Sequence, residues 1–229
     1  MPAVPPVPAV PTVPAVPRRR SRTVALVLAG GRSSRFGADK LAAELDGRPL
    51  LHHALLAAGA VTDLVLLAVG EGSPAPALPS LGVPLEVVRD RSAGLGPLAG
   101  VDAALDHLAL SHASADRLLV VPGDAPALRP ALLTGLLCAL DGHDAAVLAD
   151  GDDWRPLPCA IRPAAAHAPV RDGLAGPKRS VRAVLHALGP AIVDDATWRT
   201  WDPDGDWRRD VDEPADLAQA AARAQQEAT

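Results

Sequence analysis

Three apolar runs of the chain are each followed by glycines or charged residues that suit a phosphate chain with a divalent cation. The first run, residues 24–29, leads into GGRSSRFGADK, which ends at Lys40. The run LEVVR precedes Asp90 and the turn RSAGLGPLAG, and the run RLLVV precedes PGDAP, which contains Asp124. Backbone N–H groups of such turns and basic side chains bind phosphate oxygens, whereas one or two carboxylates anchor a metal ion. The pattern predicts a site for a phosphate chain and its cation.

Each of these features also has a plainer interpretation. Gly30 and Gly31 could serve only a tight turn, and Lys40 could be a solvated surface lysine. Asp124 could cap the helix predicted for PALLTGLLCAL, although that helix begins only at Pro130. Lys40 is one of two lysines in a chain that otherwise uses arginine, and a compact ammonium suits a point-charge contact with phosphate.

The elements that must position these residues alternate along the chain. Short runs rich in Val and Leu are typical of strands buried on both faces of a parallel sheet. The segments between them carry apolar residues at helical spacing, with Pro near their starts. This alternation predicts an α/β fold, a Rossmann-like, doubly wound and mainly parallel sheet with helices on both faces. In such sheets ligands bind beyond the carboxyl ends of the strands, where the glycines and charges lie.

The composition limits the classes of partner. The chain has 229 residues, a formal net charge of −5, no Tyr and one Phe. An acidic chain without aromatic platforms is a poor binder of nucleic acid, so we expect none. The sequence contains neither a run long enough to span a membrane nor a secretory signal pattern, so we expect a soluble, cytoplasmic protein without a membrane partner. Cys138 and Cys159 lie in apolar contexts and are interpreted as buried small hydrophobes.

The first residues differ in composition from the rest. Residues 2–17 read PAVPPVPAVPTVPAVP, and proline this dense cannot donate the hydrogen bonds of a helix or sheet. The RRRSR that follows is interpreted as a solubilising linker, with contact to an anionic surface as the alternative. The sequence predicts a disordered Pro-rich tail over residues 1–22 and a single domain over residues 23–229.

Several segments carry a resemblance to one family. LAGGRSSRFGADK resembles the signature LAGGxSxRMGxDK of the molybdenum cofactor guanylyltransferases and their wider nucleotidyltransferase superfamily, with Phe36 where Met is usual. GPLAGVDAAL resembles the family's second guanine-side segment, and PGDAP resembles its metal-binding turn. RDVDEPADLA resembles the closing segment N-x-N-T-P-E-D-L, and WRPLPCAI resembles the strand that lines the acceptor side. The resemblance spans residues 23 to 218 and implies a nucleotide-diphospho-sugar transferase-like fold.

The resemblance also implies a reaction and a set of site residues. The family transfers a nucleoside monophosphate to a phosphorylated acceptor and releases pyrophosphate. The acceptor supplies its own nucleophile, so the protein must align two phosphates and neutralise their charge. By resemblance, Arg35, Lys40 and Asp124 are catalytic, and Asp124, Asp210 and Asp212 hold Mg²⁺. The implied nucleotide contacts are Leu28, Ala29, Gly30, Gly31, Lys40, Asp90, Gly96, Pro97, Leu98, Gly100 and Asp124. The implied acceptor contacts are Trp154, Lys178, Arg179 and Arg182.

The closing segment departs from the family pattern. The guanylyltransferases often have Asn where this chain has Asp210 and Asp212, and Thr where it has Glu213. Two acids resemble the DxDTP ending of related cytidylyltransferases, and charged oxygens hold a hard cation more strongly than amides do. Asp212 could also simply cap a helix that begins at Pro214. A further departure is Ala68 and Val69, where the guanylyltransferases can carry an Asn.

Small residues near the predicted nucleotide site favour guanine as the base of the nucleotide. LAGG together with GPLAG is the guanine-using form in the family, and glycine at position 30 removes a methyl group that would crowd a purine. The leading hypothesis is therefore transfer of GMP from GTP to molybdopterin, with or without molybdenum, to give molybdopterin guanine dinucleotide. Its partners would include molybdenum-insertion and cofactor-accepting proteins. The alternatives are a molybdopterin cytidylyltransferase, a related transferase with another small phosphorylated acceptor, and an idle nucleotide-binding module.

Overall fold

The computed structural model describes residues 22–29, 40–73, 76–90, 95–111, 115–177, 179–211 and 213–227. The predicted tail lies outside the described residues except for Arg22. The predicted site residues that also lie outside them are Gly30, Gly31, Arg35, Lys178 and Asp212.

The strands and helices alternate as the sequence predicts. The strands are β1 (Thr23–Leu28), β2 (Glu44–Leu45), β3 (Arg48–Pro49), β4 (Leu64–Val69), β5 (Leu85–Arg89), β6 (Arg117–Pro122), β7 (Ala145–Asp150), β8 (Asp153–Ile161) and β9 (Ala191–Val193). The helices are α1 (Leu50–Gly59), α2 (Pro97–Leu110), α3 (Pro130–Ala139), α4 (Pro163–Ala175), α5 (Val181–Leu188), α6 (Asp195–Trp198) and α7 (Pro214–Glu227). Two short 3₁₀ helices, Lys40–Ala42 and Asp206–Arg208, complete the described elements.

Within the described ranges, seven strands form one sheet in the order β5–β4–β1–β6–β8–β7–β9. Strand β8 runs antiparallel to both of its neighbours, and the other neighbouring pairs are parallel. The sheet is therefore mainly parallel, as predicted, and β1 lies in its interior between β4 and β6. The carboxyl ends of β1, β4, β5, β6 and β7 lie at one edge, together with the start of β8.

The sheet is covered by helices on both faces, which confirms the doubly wound α/β fold. Ala25 and Val27 of β1 pack in a buried cluster with α1 and α3, which we call the first face. Val24 and Leu26 pack in a second buried cluster with α2, α4 and α5, the second face. Because the residues of β1 pack against helices on both faces of the sheet, its sequence is apolar without interruption.

A two-stranded hairpin lies beside the main sheet and reaches the C-terminal segment. Strands β2 and β3 are joined by Asp46 and Gly47, which both have positive φ, as a tight hairpin turn requires. Leu45 of β2 packs with Leu50 and Val211 in a small buried cluster. This cluster attaches the segment before α7 to the start of α1.

The two cysteines differ in environment. Cys159 of β8 is buried, and desolvation raises the pKa of its thiol to about 12. Cys138 of α3 is exposed, so the prediction that both cysteines are buried is wrong for this residue. The four leucines of α3 form its buried side, and Cys138 lies on the opposite, exposed side of the helix.

Among the described residues, no helix is both long enough and apolar enough to cross a membrane.

Candidate nucleotide and metal site

The predicted site residues lie where the carboxyl ends of neighbouring strands meet. Beyond β1, the N–H of Ala29 donates to the Ala68 carbonyl of β4 at 2.9 Å. The N–H of Gly123, just after β6, donates to the Leu28 carbonyl at 2.9 Å. The N–H of Asp90, just after β5, donates to the Val69 carbonyl at 3.1 Å. These bonds extend the sheet by one residue and bring three predicted segments to one edge.

The closest polar contact of the site joins Lys40 to Asp124. The Lys40 Nζ lies 2.6 Å from the Asp124 Oδ2, and the two side chains are only 17% and 22% exposed. The residues are 84 positions apart, and the 3₁₀ helix that starts at Lys40 and the turn after β6 bring them together. Phosphoryl transfer uses a cationic side chain on the phosphates and a carboxylate on the metal ion, and Lys40 and Asp124 bring one of each to the same place at the edge of the sheet.

A close approach of the backbone around β1 explains two glycines. A Cβ on Gly123 would lie 2.8 Å from the Leu28 carbonyl oxygen, and a Cβ on Gly100 would lie 2.8 Å from Leu28 Cδ2. The Gly100 position is also 3.1 Å from the Ala68 Cβ. Only glycine lets α2 and the Asp124 turn approach the end of β1 this closely.

Asp90 has an unusual environment for a carboxylate. Its Oδ1 is buried, and no donor among the described residues lies within hydrogen-bonding distance of it. Burial raises the pKa of Asp90 above its ordinary value. The same oxygen is 3.7 Å from the position of a Gly100 Cβ, so it faces the first turn of α2. An acceptor oxygen left in this position is available to a donor on a bound ligand.

The turn into α2 is formed by Gly96 and Pro97. Gly96 has φ of +74°, a conformation that favours glycine, and Pro97 occupies the first turn, where its missing N–H costs no hydrogen bond. The side chain of Leu98 is only 1% exposed and packs in the core of the second face. Because its side chain is buried, Leu98 can contact a nucleotide only through its backbone.

The segment before α7 joins the Asp124 turn. The N–H of Val211 donates to the Asp124 carbonyl at 3.0 Å, which places Asp210 next to that turn. The Asp210 Oδ2 lies 3.8 Å from the Arg155 Nη1. Arg155 is in turn bound to Asp150, and its hydrogen bond is the main reason that the pKa of Asp150 lies below its ordinary value.

These carboxylates suit a metal ion that arrives with the nucleotide. Mg²⁺ is commonly bound through one or two protein carboxylates, with substrate phosphates and water completing its shell. Asp124 and Asp210 supply such oxygens on two hydrogen-bonded segments. In the part of the chain that the structure describes, no group of three or more His, Cys, Asp or Glu side chains is arranged to hold a metal. The residues present therefore fit a cation shared with a triphosphate.

Two of the predicted acceptor residues, Trp154 and Arg182, lie together between β8 and α5. Trp154 is 7% exposed, and the Arg182 guanidinium lies 4.4 Å from its ring centroid. Arg182 also donates to Asp153 at 2.8 Å and to the Trp154 carbonyl. The ring centroids of His186 and Trp154 are 5.0 Å apart, in an edge-to-face arrangement. Arg182 and His186 thus cover the Trp154 ring. A ligand on this side would meet the polar atoms of Arg182 and not those of Trp154.

Arg179 lies just before this helix and not on it. Its Nε donates to the Leu174 carbonyl of α4 at 3.2 Å. The prediction that Arg179 and Arg182 both lie near the start of a late helix agrees with the structure, in which α5 begins at Val181.

A cavity of about 730 Å³ lies against the segment that contains Asp210. It is bounded by residues 126–130, by the 3₁₀ helix Asp206–Arg208, by α7 and by the β2–β3 hairpin. Asp210 and Val211 line it, so the cavity adjoins the predicted metal segment. The arginines that line it are Arg129, Arg155, Arg208, Arg209 and Arg223.

Sequence reasoning did not single out these arginines. Arg129 contacts Asp202, Asp204 and Asp206 at 3.1 to 3.3 Å, and the Asp202 side chain is fully buried. Each partner lies more than 70 positions away, so no local spacing marks the pairs. The only signal for Arg155 was its position directly after Trp154 in the segment WRPLPCAI.

Comparison with known proteins agrees with this geometry. Residues 25–192 match the family model of the MobA-like NTP transferase domain. A molybdenum cofactor guanylyltransferase of Shewanella piezotolerans is 34% identical over 143 residues, which are 61% of this chain and 66% of that protein. The match therefore spans just under two thirds of the relative.

Solved structures share the fold. Molybdopterin-guanine dinucleotide biosynthesis protein A from Archaeoglobus fulgidus superposes with a TM-score of 0.71 at 21% identity, covering 89% of this chain and 99% of that one. The 2-C-methyl-D-erythritol 4-phosphate cytidylyltransferase of Thermus thermophilus superposes with a TM-score of 0.61 at 19% identity, covering 87% and 98%.

The family model covers most of the chain, and it includes most of β1 together with Lys40, Asp90 and Asp124. The resemblance predicted from the motifs is thereby confirmed. The chain belongs to the MobA-like NTP transferase domain family and is a nucleotidyltransferase.

Proposed function

We propose that this enzyme transfers GMP from GTP to the terminal phosphate of molybdopterin, with or without bound molybdenum. A phosphate oxygen of the acceptor attacks the α-phosphorus of GTP, the bond to the β-phosphate oxygen breaks, and pyrophosphate leaves. The product is molybdopterin guanine dinucleotide. The observation that carries the proposal is the contact of Lys40 with Asp124 at the carboxyl edge of the sheet. The similarity to molybdenum cofactor guanylyltransferases supports the choice of substrates.

The residues have separate tasks in this reaction. Lys40, with Arg35, holds the triphosphate, and its ammonium offsets charge that builds up on the phosphate oxygens. The backbone of Leu28, Ala29, Gly30 and Gly31 receives the base and ribose. Asp90 accepts a hydrogen bond from the nucleotide, and the close approach at Gly100 brings the first turn of α2 to the same pocket.

Asp124 would hold Mg²⁺ together with Asp210 and Asp212. When bound, the ion neutralises phosphate oxygens and favours departure of pyrophosphate. In the ligand-free arrangement Lys40 neutralises Asp124. The same ammonium is within reach of a phosphate bound beside that carboxylate, so it can exchange one anion for the other.

The acceptor would lie on the β8 side of Asp124. The basic residues proposed to bind its phosphate are Lys178, Arg179 and Arg182. The buried Trp154 ring packs against the Arg182 guanidinium. Delivery of molybdopterin and removal of the product would involve molybdenum-insertion and cofactor-accepting proteins.

One observation favours a second candidate. The acids at Asp210 and Asp212 resemble the ending of the related cytidylyltransferases, and the enzyme would then transfer CMP to the same acceptor. The small residues LAGG and GPLAG favour GTP, so CTP is the second choice.

The nucleotide can be identified by thermal and chemical unfolding with GTP, CTP, ATP or UTP, each with and without Mg²⁺. A ligand at 100 times its dissociation constant stabilises the folded state by about 2.7 kcal/mol. We expect a Mg²⁺-dependent increase with GTP, followed by pyrophosphate release when molybdopterin is added. Stabilisation by CTP alone would transfer the proposal to the cytidylyl reaction. Nucleotide binding without turnover on any phosphorylated pterin would favour an idle binding module.

A further inference from the structure

Asp150, at the end of β7, is shared by two arginines. Its Oδ2 accepts from the Arg155 Nε at 2.9 Å, and its Oδ1 accepts from the Arg208 Nη1 at 3.1 Å. One carboxylate therefore holds two guanidinium groups in place. Its single negative charge balances only one of them, so the pair retains a positive charge directed at the neighbouring segment.

Arg155 uses its remaining donors on that segment. Its Nη1 donates to the Arg208 carbonyl at 2.8 Å and lies 3.8 Å from the Asp210 Oδ2. The guanidinium therefore touches the end of β7, the end of the 3₁₀ helix and the predicted metal-binding carboxylate. A planar group with five donors can make such contacts at once, whereas the single ammonium of lysine cannot reproduce them.

This arrangement rests on the packed core. The Arg208 guanidinium lies 5.2 Å from the Trp198 ring centroid, and Trp198 is fully buried. The Trp198 Nε1 donates to the Ala149 carbonyl of β7 at 3.0 Å. The residue that follows Asp210, Val211, is hydrogen-bonded to Asp124. The segment 208–211 is thus attached to β7 at one end and to the Asp124 turn at the other, with Asp210 between.

We propose that Arg155 is a positioning residue of the nucleotidyl-transfer site, which holds the Asp210 carboxylate beside Asp124 and balances its charge. The inference rests on the proposed function, because it takes Asp210 as a metal-binding residue. It also accounts for the departure at this position. An Asn needs no counter-charge, whereas an Asp does. Arg155 supplies that charge to Asp210, and Asp150 orients the Arg155 guanidinium.

A double-mutant cycle tests this coupling. Arg155→Gln and Asp210→Asn should each weaken the apparent affinity of the GTP-bound protein for Mg²⁺ by about 10-fold, the lower end of the effect of removing a residue that orients a metal ligand. The affinity is measured by titrating Mg²⁺ against thermal unfolding at saturating GTP. The double variant should bind Mg²⁺ no more weakly than whichever single variant binds it less tightly, because both changes remove the same interaction. Arg155→Lys should fail to restore the affinity.

A matched control removes an ion-paired arginine elsewhere. Arg171 of α4 contacts Asp106 at 2.7 Å on the second face, and Arg171→Gln should leave the Mg²⁺ affinity unchanged. Multiplicative losses in the double variant, or full affinity in Arg155→Lys, would overturn the positioning role.

The failure of the proposed function is a separate result. A non-additive Mg²⁺ cycle in a protein that transfers no GMP to molybdopterin would support the role of Arg155 and overturn the choice of acceptor. A protein that binds no nucleotide with Mg²⁺ would overturn both.

Discussion

The Lys40 ammonium and the Asp124 carboxylate are 2.6 Å apart at the carboxyl edge of the sheet, in positions less than a quarter exposed. Each side chain neutralises the other in the absence of ligand. A triphosphate with its metal ion would supply a new partner for each of them. The pair therefore keeps two unlike charges in a partly desolvated site without leaving either unbalanced.

Removal of either charge should abolish turnover. Lys40→Ala and Asp124→Asn are each expected to lower kcat by about 100-fold or more, because a preorganised group that stabilises transition-state charge contributes that much. Pyrophosphate release from GTP with molybdopterin is the measurement. Arg117→Gln is the control, since this arginine pairs with Asp141 at the opposite end of β6 and should keep full activity. Near wild-type rates in either site variant would exclude the proposed chemistry.

Gly100→Ala should destabilise the protein despite the higher helix propensity of alanine. The gain in a helix is about 1 kcal/mol, whereas overpacking costs about 1 to 3 kcal/mol. The new Cβ would lie 2.8 Å from Leu28 Cδ2 and 3.1 Å from the Ala68 Cβ, so a neighbour must shift. Urea unfolding measures the change, and nucleotide affinity should fall with it. Gly82→Ala, where no atom lies within 4 Å of the new Cβ, should leave both unchanged.

Asp90→Asn should stabilise the ligand-free protein and weaken nucleotide binding. Burial raises the pKa of Asp90, so the folded state binds its proton more tightly than the unfolded state does. The charged form therefore costs stability as pH rises through the interval between the unfolded and folded pKa values. The advantage of Asn should grow as pH rises and should disappear as pH falls towards the ordinary pKa of 3.8. Urea unfolding from pH 4 to 8 measures it, and an advantage that persists unchanged at pH 4 would exclude this cause.

Gly135→Ala tests the packing of the first face. A Cβ at this position of α3 would lie 2.5 Å from the Trp201 ring, so the substitution should cost about 1 to 3 kcal/mol of unfolding free energy. In a Trp201→Leu background the same substitution should become neutral or stabilising, since the obstacle is gone and only helix propensity remains. An equal cost in the two backgrounds would show that contact with the Trp201 ring is not its cause.

The sequence was informative where a signal is local and periodic. Apolar runs predicted β1, β4, β5, β6 and β7, because strands covered on both faces need an apolar side chain at each position. Strand β9 escaped prediction because three residues carry no periodicity. The direction of β8 depends on the turn at Gly151, whose φ is +65°, and not on the composition of the strand.

The candidate site divides in the same way. Lys40, Asp90 and Asp124 were predicted because each follows an apolar run, and parallel strands bring such positions to one edge. Arg155 was missed because its partners are set by tertiary structure. Asp150 lies across a hairpin and Asp210 lies 55 positions further along the chain, so no motif records the contact.

The reversed direction of β8 has a consequence for how such an enzyme can diversify. Asp150 through Arg155 form one short hairpin whose tip lies at the carboxyl edge of the sheet, while the segments that we propose to receive the nucleotide follow β1 and β5. Exchange of this hairpin tip for that of a relative would leave the pairing of β1 with β4 and β6 unchanged. It would also replace Arg155 and so remove its contacts with the segment before α7, which means that the tip and that segment would have to change together.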